Sequence, residues 1–173
     1  MAMTSDVEKL RRELARSFSS RAYPGDNKIA ESRPWIPEYE GNQVACYFRG
    51  KRWQDLSYQK LRTEYPADPT ACIHFLVDEG FQYFLPGFLM MALDLNEAGE
   101  IADAICSALT EPACDALPQD KARFASRMDG LSREEKNTIR EVLEFLAREY
   151  NRVGYPDNPA RTALGKQSGT NHR

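Results

Sequence analysis

The stretch from Phe81 to Leu95 forbids most architectures. Phe81, Phe84, Leu85, Phe88, Leu89, Ala92, Leu93 and Leu95 recur at helical spacing, yet they fall on more than one face of that helix. A helix apolar on several sides must be enclosed, so the rest of the chain has to supply the wrapping. The stretch is about fifteen residues long, interrupted by Gln82, Pro86 and Gly87, and shorter than the roughly 20 residues that cross a bilayer. The expectation is a buried core helix that starts at Asp78 or Glu79. Pro86 is predicted to kink it or split it after Leu85, because proline lacks the N–H that a helix interior needs.

The wrapping elements are legible at both ends of the chain. Ser5-Asp6-Val7-Glu8 matches a capping box, and Val7, Leu10, Leu14 and Phe18 follow at helical spacing to about Ser19 or Ser20. Ser132-Arg133-Glu134-Glu135 is a second capping box. It opens a stripe of Ile139, Val142, Leu143, Leu146, Tyr150 and Val153, predicted to pack on the central helix. Between them, Ile101, Ile105, Ala108 and Leu109 continue as a helix after Asn96, and Pro118 opens one bearing Phe124 and Met128.

The remaining segments are less regular. From Arg21 to Asn42 the chain is an irregular connection broken by Pro24-Gly25, Pro34 and Pro37. Asp26 or Asn27 can cap a brief helical turn containing Ile29, and Trp35 and Tyr39 give the segment material to pin itself to a core; part of it is expected to be short helix, or it is an arm that holds a partner. Val44 to Phe48 reads as strand or helical turn, and Trp53, Leu56, Leu61 and Tyr65 suggest a helix up to Pro66. Asp68-Pro69 is a good start signal for a short helix over Thr70 to Val77. At 173 residues the expectation is one compact, mainly α, multi-helix domain over 1–163, with a long irregular N-terminal connection and at most a minor β element. A flexible tail is expected over 164–173.

Charge is distributed unevenly. Between Thr63 and Asp120 there is no lysine or arginine, but there are eleven carboxylates. The 62 residues before this block carry twelve basic and eight acidic residues, and the 53 after it carry eleven and seven. A net charge of −3 therefore conceals a strongly acidic middle between two mildly basic ends. Asp94, Glu97, Glu100 and Asp103 have helical three-residue spacing, despite Gly99 and a boundary near Asn96. They read as a solvated acidic face or as a surface for a basic protein, and Tyr83 is the central aromatic expected to reach the surface beside them.

Catalytic patterns are sparse. His172 lies in the expected tail, which leaves His74 as the one histidine for a base, with Asp78 four positions on and Cys72 two before. On a helix residues 72 and 74 point about 200 degrees apart, a poor nucleophile–base geometry. The four cysteines are scattered without a C-x-x-C pair, and no H-E-x-x-H or EF-hand pattern occurs, so no metal or cofactor is expected. Gly-rich phosphate loops are absent. Arg49, Lys51 and Arg52 beside Phe48 and Trp53 form a lone basic–aromatic cluster, a weak nucleic-acid footprint on a net acidic chain.

Phe48-Arg49-Gly50-Lys51-Arg52-Trp53, Asp68-Pro69, the segment Gly80 to Leu89, and the helix beginning Leu131-Ser132 with Phe145-Leu146 carry a resemblance. From about Phe18 to Tyr150 the chain resembles a family of uncharacterised bacterial proteins, domain of unknown function 6714. The resemblance implies one compact helical domain and brings no catalytic mechanism.

The functional expectation is a non-enzymatic, cytoplasmic protein-binding module with an acidic surface, of which a bacterial immunity or antitoxin-like inhibitor is one form. The alternatives are a small hydrolase-like enzyme using His74 with Asp78 or Cys72, and a helical structural or regulatory domain.

Overall fold

The computed structural model describes residues 2–167. Among them the chain forms nine α-helices: α1 Ala2–Ser17, α2 Glu40–Phe48, α3 Tyr58–Glu64, α4 Cys72–Phe75, α5 Asp78–Ala92, α6 Leu95–Ala108, α7 Pro118–Asp129, α8 Arg133–Val153 and α9 Pro159–Gln167. Single 3-10 turns occupy Asp26–Lys28 and Trp53–Asp55. No sheet forms among the described residues; the β content is one antiparallel bridge between Ala30 and Leu76.

α5 is the buried axis. Only Asp78, Glu79 and Met90 of its residues escape full burial, and α1, α6, α7, α8 and both 3-10 turns pack around it. It runs through Pro86 as one helix, so the expected split after Leu85 does not occur. The missing hydrogen bond to the Gln82 carbonyl is outweighed by contacts on every side, against a proline cost of about 3 kcal/mol. Two glycines let backbone come close to this helix. A Cβ on Gly80 would stand 2.0 Å from the Ile29 carbonyl oxygen, and one on Gly87 would stand 2.7 Å from that of Trp53. The Ile29–Ala30 segment is fastened there by Val77 N–H donating to Ile29 O (3.1 Å) and Glu31 N–H to Phe75 O (2.9 Å).

Several local expectations are corrected. α1 begins upstream of Ser5, so the Ser5–Glu8 pattern lies inside the helix and Glu8 instead accepts from Arg11 at 3.1 Å. The ambiguous Val44–Phe48 segment is the second half of α2. The helix expected from Trp53 starts only at Tyr58, where the Ser57 side chain caps Lys60 N–H. Asp68 accepts from the backbone and hydroxyl of Thr70 (2.9 and 2.8 Å), which turns the chain ahead of α4 without being its N-cap. The tail expected to fray from Leu164 continues as α9 to Gln167. Asn158 caps it by accepting from Arg161 N–H (3.0 Å), and buried Ala160 and Ala163 with Leu164 seat it on the core. Residues 168–173, with His172, lie outside the described residues.

The cap and buried stripe of α8 are as expected, but its packing on the central helix is slight. Its capping box is complete: Glu135 N–H donates to Ser132 Oγ (3.2 Å) and Ser132 N–H to Glu135 Oε2 (2.7 Å). Ile139, Val142, Leu143, Leu146 and Tyr150 are buried, while Val153 is exposed. The stripe packs chiefly on α1 and α9 and reaches α5 and α6 as well.

Two buried polar assemblies lock the helices together. Arg21, just past α1, grips Glu135 with two hydrogen bonds (2.8 and 2.7 Å) and also donates to Gly130 O (2.9 Å) and Gln82 Oε1 (3.3 Å). Gln82 in turn donates to the carbonyls of Ser126 and Arg127 (3.3 and 3.1 Å), tying α5 to the end of α7. The second assembly centres on Arg127, the one fully buried residue of α7. It donates to Leu76 O (2.6 Å), lies over the Phe81 ring (4.3 Å) and pairs with Asp78 (3.6 Å). Burial, helped by nearby Arg123, lowers its pKa to about 10, so it remains charged at neutral pH.

Candidate functional site

The four carboxylates expected to act together lie at the start of α6 and along it. Asp94 is the N-cap, accepting from Glu97 N–H at 3.3 Å, and the helix turns at Ala98, whose φ of −123° and ψ of 36° are non-helical. On either side of that kink, Glu97, Glu100 and Asp103 are each held by a neutral donor. Gln59 Nε2 donates to Glu97 (2.9 Å), Tyr58 O–H to Glu100 (2.6 Å) and Tyr150 O–H to Asp103 (2.5 Å). All four carboxylates remain exposed. Among the described residues none of them forms an ion pair with a lysine or arginine, although Arg62 lies over the Tyr58 ring (5.6 Å) and acts on the hydroxyl that holds Glu100. The Tyr58 hydroxyl is correspondingly harder to ionise, first because of that hydrogen bond to Glu100.

Tyr83 does not join this face. It is only 5% exposed, packed edge-on against Tyr23 and Phe84 at 5.5 and 4.9 Å. The loop carrying Tyr23 folds over it, pinned by the Gly50 N–H donating to the Tyr23 hydroxyl (2.8 Å). Its expected role at the surface is therefore withdrawn, and burial raises its pKa.

The groups of the enzymatic alternative are dispersed. Cys72 is buried with its thiol donating to Pro69 O (2.8 Å), and burial raises its pKa far from thiolate range. Asp78 faces Arg127. His74 stays open to solvent at the end of α4, where partial desolvation, then Arg127 and Arg123, lower its pKa. Arg123 also donates to the His74 carbonyl (2.6 Å). Among the described residues, no three His, Cys, Asp or Glu side chains converge as metal ligands do. No described helix is long and apolar enough to cross a membrane.

The basic–aromatic cluster is internally neutralised. Arg49 pairs with Asp26 (3.7 Å), Lys51 with Glu64 (3.2 Å), and Arg52 with Asp55 (2.9 Å), while Trp53 is buried.

Sequence reasoning missed Trp35. Rather than pinning its segment to the core, this indole is 77% exposed, beside Ile36 at 41%. The loop is held by Asn42, which accepts from Ser32 Oγ (2.9 Å) and Arg33 N–H (2.7 Å) and donates to the carbonyls of Arg33 (3.0 Å) and Ile36 (2.8 Å). Pro34 and Pro37 on either side of Trp35 were the available signal, since a proline-bounded turn has no helix face with which to bury an aromatic.

No family model, no curated protein and no solved structure matches this chain.

Proposed function

We propose that the protein is a non-enzymatic binding module whose α6 face engages a basic protein surface. The observation that carries this reading is the set of four exposed carboxylates, Asp94, Glu97, Glu100 and Asp103, positioned by neutral donors and, among the described residues, without an ion pair to lysine or arginine. Fixed charge attracts a complementary surface over distance and loses little freedom on contact. An immunity-type inhibitor that occludes the cationic site of a nucleic-acid-cleaving enzyme is a concrete form of this reading. In that form the carboxylates stand in for phosphates.

The test is association kinetics with the basic partner captured from native cells, across a salt series. Asp94→Asn, Glu97→Gln, Glu100→Gln and Asp103→Asn together keep every hydrogen-bond acceptor and remove the charge. Association should slow roughly tenfold or more at low salt, with a flatter salt dependence. The thermal midpoint should change little. An association rate equal to wild type would remove this face as the steering surface.

A further inference from the structure

We infer that the chain pairs with a second copy of itself, the Trp35 loop of each copy entering a cation-rimmed groove between α7 and α8 of the other. This goes beyond the carboxylates of α6 and uses different residues.

The loop is a preformed knob. Trp35 and Ile36 are adjacent large apolar side chains in solvent, and the four hydrogen bonds of Asn42 fix the backbone that presents them. Burying an indole from a rigid loop recovers a large apolar area without an ordering cost. Glu38, also exposed, places a carboxylate two residues past Ile36.

The groove matches the knob in both apolarity and charge. It encloses about 960 Å³, with half-buried Phe124 and Met128 in its floor. Arg133, Lys136 and Arg140 line its α8 side, at spacings of three and four residues that align them on one helical face; Lys121, Glu111 and Asp129 also line the groove, which leaves it four cations against two carboxylates. Among the described residues none of the three α8 cations forms an ion pair. A floor of that kind under unpaired cations suits an apolar side chain followed by a carboxylate, which is what Trp35-Ile36-Pro37-Glu38 offers.

Position permits such an exchange. Arg123 of α7 reaches toward the loop side, donating to Leu76 O (3.1 Å) and acting electrostatically on Glu31 and Tyr39. The next residue, Phe124, lines the groove. Knob and groove thus both adjoin α7, an arrangement that allows a reciprocal exchange about a two-fold axis. Such an exchange closes on itself as a dimer.

Sedimentation velocity from low micromolar to near-millimolar protein tests this, with acrylamide quenching in parallel. Trp53 is buried, so the quenchable emission belongs to Trp35. The expected result is a monomer–dimer equilibrium whose dimer loses quenchable emission. Trp35→Ser should raise the dissociation constant at least about 30-fold, a hot-spot loss of about 2 kcal/mol converted at 1.4 kcal/mol per tenfold. Lys136→Glu with Arg140→Glu should give a monomer, and adding Glu38→Lys should restore association. Circular dichroism confirms that these surface variants fold. A wild-type monomer at every concentration overturns the inference, as does a dimer that survives Trp35→Ser or leaves Trp35 fully quenchable.

Discussion

Replacing Arg21 with methionine should cost the fold roughly 3–5 kcal/mol, the range for breaking a buried ion pair from one side. Arg21 forms both hydrogen bonds to the Glu135 carboxylate and also serves Gly130 and Gln82, so its removal strands a charge inside the protein. The Ser132 N–H still reaches Glu135, but one amide does not replace a guanidinium. Urea denaturation measures the loss, and a value under about 1 kcal/mol would show that water rescues the carboxylate. A second measurement uses pH. Burial by itself raises the Glu135 pKa, but Arg21 and the Ser132 amide outweigh it and hold the carboxyl below its ordinary 4.5. A depressed carboxyl stabilises the fold above its unfolded pKa and loses that contribution as pH falls through the folded one. The thermal midpoint should therefore drop more steeply below about pH 4.5 in wild type than in Glu135→Gln. Glu141 acts in the opposite sense, raised first by its hydrogen bond with Glu13. Both proteins contain it, so the difference between them isolates Glu135.

Leu143→Ala and Leu146→Ala should each destabilise by roughly 2–5 kcal/mol, the range for deleting most of a buried leucine. Both side chains are inaccessible to solvent. They sit in the stripe of α8 that meets α1 and α9, so neither neighbour can close the gap without leaving its own contacts. Chemical denaturation with an unchanged m-value would assign the loss to packing. Losses under about 0.5 kcal/mol at both positions would mean that the site collapses around the cavity.

What the sequence made legible, and what it hid, divides along physical lines. The α8 cap was readable because Ser132 and Glu135 satisfy each other locally, and the enclosure of α5 because its apolar residues leave no face for water. The exposed carboxylates of α6 followed from spacing and charge alone. Most hidden features depend on distant partners. Tyr83 is buried because a loop sixty residues earlier covers it through Tyr23. α5 survives Pro86 because its surroundings hold it, and α9 persists because Ala160 and Ala163 find a core surface. Trp35 is displayed because one asparagine in the following helix organises the turn. Arg127 is buried by pairing and capping groups that no periodic pattern reveals.

The docking of α1 on α8 also orders events during synthesis. Arg21 and Glu135 are separated by 114 positions along the chain, with α5 lying between them in sequence. On the ribosome, α1 precedes α8 and, although part of its apolar face meets α5, it cannot complete its cover until α8 has left the exit tunnel. Helices α2 to α6 gather around α5 through shorter loops, and shorter closures are made sooner. Leu10, Leu14 and Phe18 therefore stay incompletely covered until α8 emerges, which makes that stretch a natural place for a chaperone to hold.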